Sequence, residues 1–160
     1  MTAPHLPPAG TFDGRVHHFA VRAYFEDTDL TGVVYHANYL RWFERARSDL
    51  VRLIGIDQRR AHEAGEGAYA VAELAIRYLA PARLDDDVLI RTSAEEIAAA
   101  SCRLLQTASR GGTLLAQARV RVGFVGPGGR ARRQPAAWRE AFAAIVTRSP
   151  ITPSPITDAA

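Results

Sequence analysis

Residues 37–54 carry the pattern that most limits what this chain can fold into. Leu40, Phe43, Ala46, Leu50, Leu53 and Ile54 recur at spacings of three and four. That is the period of a helix with one apolar face laid on a hydrophobic partner. Arg41, Arg45, Asp49 and Arg52 fall largely elsewhere, and Asp49 is one turn from both Arg45 and Arg52, within ion-pair reach. Gly55 supplies a stop signal. So long a helix needs a broad apolar surface to cover, and the remaining patterns supply strands. Residues 16–25 are rich in aromatic and β-branched side chains and predict a strand. Residues 68–79 predict a longer one, broken by Pro81. Residues 88–96, 101–109 and 114–125 predict three more, the last two joined by a tight hairpin at Gly111-Gly112. Residues 58–65 predict a short helix, and 135–146 a final one with Pro in its first turn. The order is strand, long helix, long strand, three-strand meander. This is an α+β arrangement, an antiparallel sheet with a helix over one face.

The chain has 160 residues, 48% of them hydrophobic, enough for one core. No linker or repeat interrupts residues 15–148, so a single domain is expected there. Residues 1–14 are Pro- and Gly-rich and predict a flexible N-terminus, and the Pro-containing residues 149–160 predict a disordered tail. The lone cysteine, Cys102, excludes an internal disulfide and suits a reducing compartment. Its place in an apolar strand predicts a buried side chain rather than a reactive thiol. The first residues lack the basic start and apolar run of a signal peptide. No apolar run approaches the roughly 20 residues that span a bilayer. A cytoplasmic protein that does not span a membrane is therefore expected.

The formal net charge is +3, and every cation is arginine, since the chain holds no lysine. A mild excess of this kind favours anionic partners. No aromatic-and-basic strand signature or zinc-finger spacing accompanies it, so no nucleic-acid partner is expected. A phosphate-bearing small molecule or an acidic carrier protein suits the charge equally well.

The chemistry concentrates just before the long helix, in FEDTDLTGVVYHAN, residues 25–38. Three carboxylates, Glu26, Asp27 and Asp29, precede Gly32, an apolar pair and Tyr35-His36-Ala37-Asn38. The first turn of a helix leaves backbone N–H groups unpaired, at the positive end of the dipole. A substrate carbonyl there would be polarised as in an oxyanion hole. A carboxylate across the pocket, Asp29, could then attack the carbonyl or take a proton from water. Gly32 lets the loop turn and lets a ligand approach the backbone. The plainer readings stand beside these. Asp29 could only cap the loop; His36 could be a base, a contact, or a donor through its N–H alone; Asn38 could fix the loop or cap the helix. Glu44 fits structural pairing with Arg47 or Arg41 better than a pocket, and Glu26 and Asp27 fit loop-shaping. Asp85-Asp86-Asp87 reads as a solvated turn before a strand, with no His or Cys at ligand spacing, so no metal is expected. Arg130, Arg132 and Arg133 form a basic turn that could meet phosphate.

The segment YFEDTDLTGVVYHANYLRWFERAR, residues 24–47, closely resembles the signature of hotdog-fold acyl-CoA thioesterases of the 4-hydroxybenzoyl-CoA thioesterase type, nearest the Tol–Pal-associated (YbgC-like) branch. VAELAIRYLAPARLDDDVLIRT, residues 71–92, is similar to a second segment of that branch, and the resemblance runs from about Phe19 to Pro135. It implies a hotdog fold, an antiparallel sheet wrapped around one long central helix, and hydrolysis of an acyl-CoA thioester to an acid and free CoA. The second aspartate of the family's D-x-D motif is Asp29, acting as nucleophile or general base, and the carbonyl-polarising amide falls on His36. Gly32, Val33, Tyr35 and Asn38 then become substrate contacts. No metal or cofactor is implied beyond the CoA of the substrate. A homo-oligomer, dimer or tetramer, is implied, with active sites at the dimer interface. Residues 97–101, IAAAS, lack the Arg or Lys that relatives often place there. The CoA phosphates would then fall to Arg130, Arg132 or Arg133, with Arg132 the expected contact, or the acyl group would arrive on acyl carrier protein. Two rivals share the fold: a dehydratase or hydratase, whose His-containing signatures are missing, and a module that binds acyl-CoA or acyl carrier protein without turnover.

Overall fold

The computed structural model describes residues 4–147. The tail expected over residues 149–160 lies outside them. In chain order the elements are β1 (Thr11–Asp13), β2 (Val16–Arg22), α1 (His36–Leu53), α2 (Gln58–Glu63), β3 (Ala68–Tyr78), β4 (Asp87–Ile97), β5 (Ser101–Arg110), β6 (Thr113–Val125) and α3 (Ala136–Ala143). The strands form one six-stranded sheet in the order β1-β2-β4-β5-β6-β3, every pair antiparallel. With α1 packed on its inner face, this is the hotdog arrangement, of α+β class. None of the described helices is long and apolar enough to cross a membrane.

The helix α1 buries Tyr39, Trp42, Phe43, Ala46, Leu50 and Val51. The predicted stripe is rotated slightly: Leu53 is 44% exposed, and the large aromatics Tyr39 and Trp42 do the covering instead. Cys102 is buried in β5, as its strand position predicts, and burial pushes its thiol up to about 11. Trp138 and Phe142 of α3 close the core against Tyr69 and Phe124 with edge and tilted ring contacts.

Three local expectations are corrected. The segment expected to be flexible contains β1, which pairs with β2 across a turn at Gly14, φ +59°. The strand expected over residues 16–25 ends at Arg22. The Asp27 carboxylate accepts the Tyr24 N–H at 2.7 Å and curls residues 25–27 into a single 3₁₀ turn. Asp49 does not reach Arg45 or Arg52. Its Oδ2 instead accepts the Gly10 N–H at 2.9 Å and pairs with His17 Nε2 at 2.6 Å. His17 is fully buried, so desolvation lowers its pKa against the opposing pull of Asp49.

The helix α1 packs over β2 and β4 rather than over the far side of the sheet. The inner face of β3 is therefore only partly covered. Leu74 and Ile76 are half-buried, and Val71 and Tyr78 are exposed. The other edge of β3 has no strand partner among the described residues.

Candidate active site

The loop between β2 and α1 is held by bonds within itself and by bonds to the loop after β3. Thr28 bridges Val34, and Val33 bridges Arg83 of the loop after β3. Tyr35 donates its N–H to Asp27 O at 2.8 Å, and Val34 donates its own to Ala82 O at 2.8 Å. At the tip, Asp29 N–H meets Val33 O at 2.9 Å and Gly32 N–H meets Asp29 O at 3.0 Å. Gly32 sits at φ +80°, so its freedom serves the turn itself, and open space surrounds it.

Asp29 is exposed at this tip. Its Oδ1 accepts the Thr31 N–H at 2.8 Å and the Thr31 hydroxyl at 2.6 Å. The Thr31 hydroxyl and then its N–H hold the Asp29 carboxyl below the usual carboxylate range, and the nearby His36 adds to the effect. The group is an ionised carboxylate at neutral pH. Its Oδ2 accepts no side-chain donor among the described residues, and the Val33 N–H adds to the pull that keeps the group ionised.

The helix begins at His36, with Tyr35 as its N-cap residue. Asn38 N–H bonds back to Tyr35 O at 2.9 Å, while the amides of His36 and Ala37 find no acceptor among the described residues. These are the orphan donors of a helix start. The His36 imidazole is exposed and lies between the rings of Tyr35 and Tyr78, at 4.4 and 6.2 Å. The Tyr78 hydroxyl donates to His36 O at 2.8 Å, tying the first turn of α1 to the end of β3.

The loop thus brings Asp29, Gly32, Val33, Tyr35 and His36 together. Asn38 belongs to the scaffold instead. It is buried, and its Nδ2 donates to Asp27 O at 2.9 Å and to Asp27 Oδ1 at 3.2 Å. Arg132 stands apart, at the end of β6 remote from Asp29. Its Nη1 donates to Gly65 O at 3.1 Å and to Glu66 O at 2.8 Å, pinning the loop after α2. Glu44 accepts Ser48 Oγ at 2.6 Å rather than pairing with Arg47 or Arg41. Of the three consecutive aspartates, Asp86 is half-buried on Arg110 at 2.8 Å and Asp87 pairs with Arg22 at 2.8 Å.

Thr31 and Tyr78 are the members of this cluster that sequence reasoning missed. An Asp followed two residues later by Thr is an Asx-turn signal, so Thr31 was within reach. Tyr78 arrives only through the tertiary fold. Around the site the chain exposes large apolar side chains, with Phe25 at 84% and Leu30 wholly in solvent, beside Tyr35, Leu79 and Leu84. Such a rim marks a contact surface.

A family model described as the thioesterase-like superfamily matches residues 24–146. The acyl-CoA thioesterase YbgC of Haemophilus influenzae is 41% identical over 107 residues, 67% of this chain and 79% of that one. An acyl-CoA thioester hydrolase YbgC of Escherichia coli is 41% identical over 108 residues, 67% and 80% of the two chains. Among solved structures, a probable thioesterase from Bartonella henselae superposes with TM-score 0.71 at 32% identity, covering 75% of this chain and 99% of that one. A mutant 4-hydroxybenzoyl CoA thioesterase complexed with 4-hydroxybenzoyl CoA does so with TM-score 0.72 at 25% identity, covering 79% and 98%.

Proposed function

The chain belongs to the thioesterase-like superfamily, and from that membership we propose how it works as an acyl-CoA thioester hydrolase. The observation that carries the mechanism is an ionised Asp29 with one oxygen fixed by Thr31 and the other free of side-chain donors, close to a helix start with two unpaired amides. The thioester oxygen lies on the amides of His36 and Ala37, which stabilise the charge it gains. Asp29 Oδ2 attacks the carbonyl carbon, the C–S bond breaks, and CoA leaves as a thiolate that takes a proton from solvent. Water then attacks the resulting acyl–aspartyl anhydride. It releases the carboxylic acid and restores the carboxylate. The depressed pKa of Asp29 favours this route. A general base works best with a pKa near the operating pH, whereas a nucleophile needs only to be ionised.

The acyl group lies along the partly covered groove between α1 and the inner face of β3, leaving His36 and Tyr78 at its mouth. Pairing of β3 with the β3 of a second copy covers that groove and the apolar rim, which makes the working unit a homodimer. Because β3 begins beside the end of β6 and ends beside the start of β6, antiparallel pairing brings the basic turn of one copy next to the Asp29 loop of the other. Arg130 and Arg133 there are the cations left for CoA phosphates, since Arg132 is engaged by two carbonyls. Assembly of dimers into tetramers and delivery by acyl carrier protein are further expectations of this reading. The single buried cysteine suits a cytoplasmic enzyme.

The test is release of free thiol from acyl-CoAs spanning acetyl to palmitoyl, with benzoyl and hydroxybenzoyl included, by the parent and by folded Asp29→Asn. The variant is expected to lose roughly 10²–10⁴-fold in kcat/KM. A single turnover in ¹⁸O water then assigns the route. Label first entering Asp29 identifies attack of water on the anhydride at the aspartyl carbon, label only in the product acid fits base catalysis or attack at the acyl carbon, and trapping the acyl-enzyme with hydroxylamine separates these two. A folded Asp29→Asn with full activity would sink the assignment.

A further inference from the structure

A cavity of about 120 Å³ lies between α1 and β3, roofed by Phe142 of α3 and walled by Val51, Leu104 and Val122. That size is of the same order as the dry cavity of about 150 Å³ that holds a benzene ring. This one opens to solvent and is mixed in character, with Arg47, Glu44, Ser48 and Gln58 lining it beside the apolar walls. Arg47 is half-buried, and its one recorded hydrogen bond runs from Nη1 to Gln106 Oε1 at 2.8 Å. Gln106 is fully buried and locked, its Nε2 donating to Phe43 O at 2.9 Å and to Thr92 Oγ1 at 3.0 Å. The locked amide therefore aims the guanidinium. Among the described residues no carboxylate pairs with Arg47. A guanidinium carries five N–H donors in a fixed fork, so most remain unused. Desolvation disfavours its charge, which the nearby Glu44 only partly offsets. A brace for Gln106 would not need a cation that also lines a pocket.

The cavity also stands in line with the chemistry. Tyr78 of β3 holds His36 at the start of α1, and Tyr69 and Val71 of β3 flank Arg47 further along the helix. The helix and the strand therefore run side by side from the reacting end to the cavity. Arg47 sits about 16 Å along the axis from His36, a span that an extended acyl chain of roughly thirteen carbons would cross.

Building on the hydrolase reading, we propose that Arg47 is a specificity-determining residue, selecting acyl groups that are long enough to reach it and whose far end carries an oxygen acceptor. A hydroxyl or a carboxylate at that end would take up the unused N–H groups, while the apolar walls hold the methylenes before it. A plain methyl terminus would leave the guanidinium desolvated and unpaired, which costs binding.

The experiment compares kcat/KM for ω-hydroxy-, ω-carboxy- and unsubstituted acyl-CoAs from four to fourteen carbons, with the parent, Arg47→Met and Arg47→Lys. The parent is expected to favour an oxygenated terminus about tenfold, only at lengths that reach the cavity. Preference for the hydroxyl alone assigns a neutral acceptor, and preference for the carboxylate an ion pair. Arg47→Met should abolish the ratio and Arg47→Lys should keep part of it. Each ratio is internal to one protein, so a general loss of activity does not mimic the effect. If Arg47→Met does not fold, the length dependence in the parent decides alone. A parent that hydrolyses plain chains through Asp29 yet shows no terminal preference at any length overturns this inference and leaves the hydrolase reading standing. So does a preference that survives in Arg47→Met. No thiol from any ester overturns both.

Discussion

The weight of the site rests on few atoms, and Asp29 shows how a residue's neighbours set its chemistry. The Thr31 hydroxyl and N–H both bond to Oδ1, so the carboxylate is turned and held ionised at once. On the proposed mechanism the active form is the deprotonated one, and the pKa of Asp29 is lowered. Activity is therefore present above that pKa and lost as pH falls through it. The acid limb of the kcat/KM profile should lie below the ordinary value of 3.8. Thr31→Val keeps the N–H but removes the hydroxyl, so it should move that limb upward in pH toward the ordinary value. A limb that stays put in a folded Thr31→Val would show that the hydroxyl does not tune the carboxylate. Asp29, Gly32 and His36 were legible because an acid, a turn residue and a helix start followed one another within a few positions. Asn38 and Arg132 were readable only as polar side chains near a motif. Whether a polar group faces a ligand or its own backbone is decided by packing, and here Asp27 and the carbonyls of Gly65 and Glu66 took them.

Periodicity gave α1, the hairpin at Gly111-Gly112 and the long strands, because each is long enough for its pattern to rise above local noise. The shorter and tertiary features were hidden. Only three residues long, β1 is embedded in Pro- and Gly-rich chain, so nothing in its own composition marks it. Its place is fixed by the packing of Gly10 against α1. A Cβ at Gly10 would sit 2.5 Å from His18 O, 2.6 Å from Asp49 Oδ2 and 2.6 Å from His17 Nε2. Two of those atoms belong to a buried pair and one to a strand backbone, so none can yield cheaply. Gly10→Ala should force the N-terminal segment off α1 and remove the 2.9 Å bond to Asp49. The expected cost is about 1–3 kcal/mol, read as a lower urea midpoint at unchanged slope. An unshifted midpoint would mean that the segment contributes nothing to holding α1 on the sheet. The same contacts explain why Asp49 misled a helix-only reading. The ion pair with Arg45 or Arg52 is available on the surface, but such pairs are worth little beside a bond to a buried imidazole.

At the scale of the whole molecule, one chain leaves the surface around the Asp29 loop and β3 only partly covered. The rim of Phe25, Leu30, Tyr35 and Leu84 is in solvent, the inner face of β3 is half covered, and the outer edge of β3 is unpaired among the described residues. A strand of 11 residues with an open edge and apolar sequence invites another strand. On the proposed reading, a second copy paired antiparallel along β3 would answer all three with one surface. No single-sequence pattern encodes that pairing, since the same apolar alternation serves an inner strand as well as an interface. Charge placed on the edge gives the test. In a two-fold pairing each residue near the axis meets its own copy, so Ala72→Lys with Ala75→Lys, beside the middle of β3, sets like charges against each other. The parent is expected to sediment as a dimer or a multiple of it. The double variant should shift toward monomer and lose thiol release in parallel, with activity recovering as protein concentration rises. If the variant stays dimeric with full activity, β3 is not the shared edge, and the groove beside α1 must be closed by some other surface. If it becomes a fully active monomer, the site is complete within one chain, and the exposed rim has a different partner.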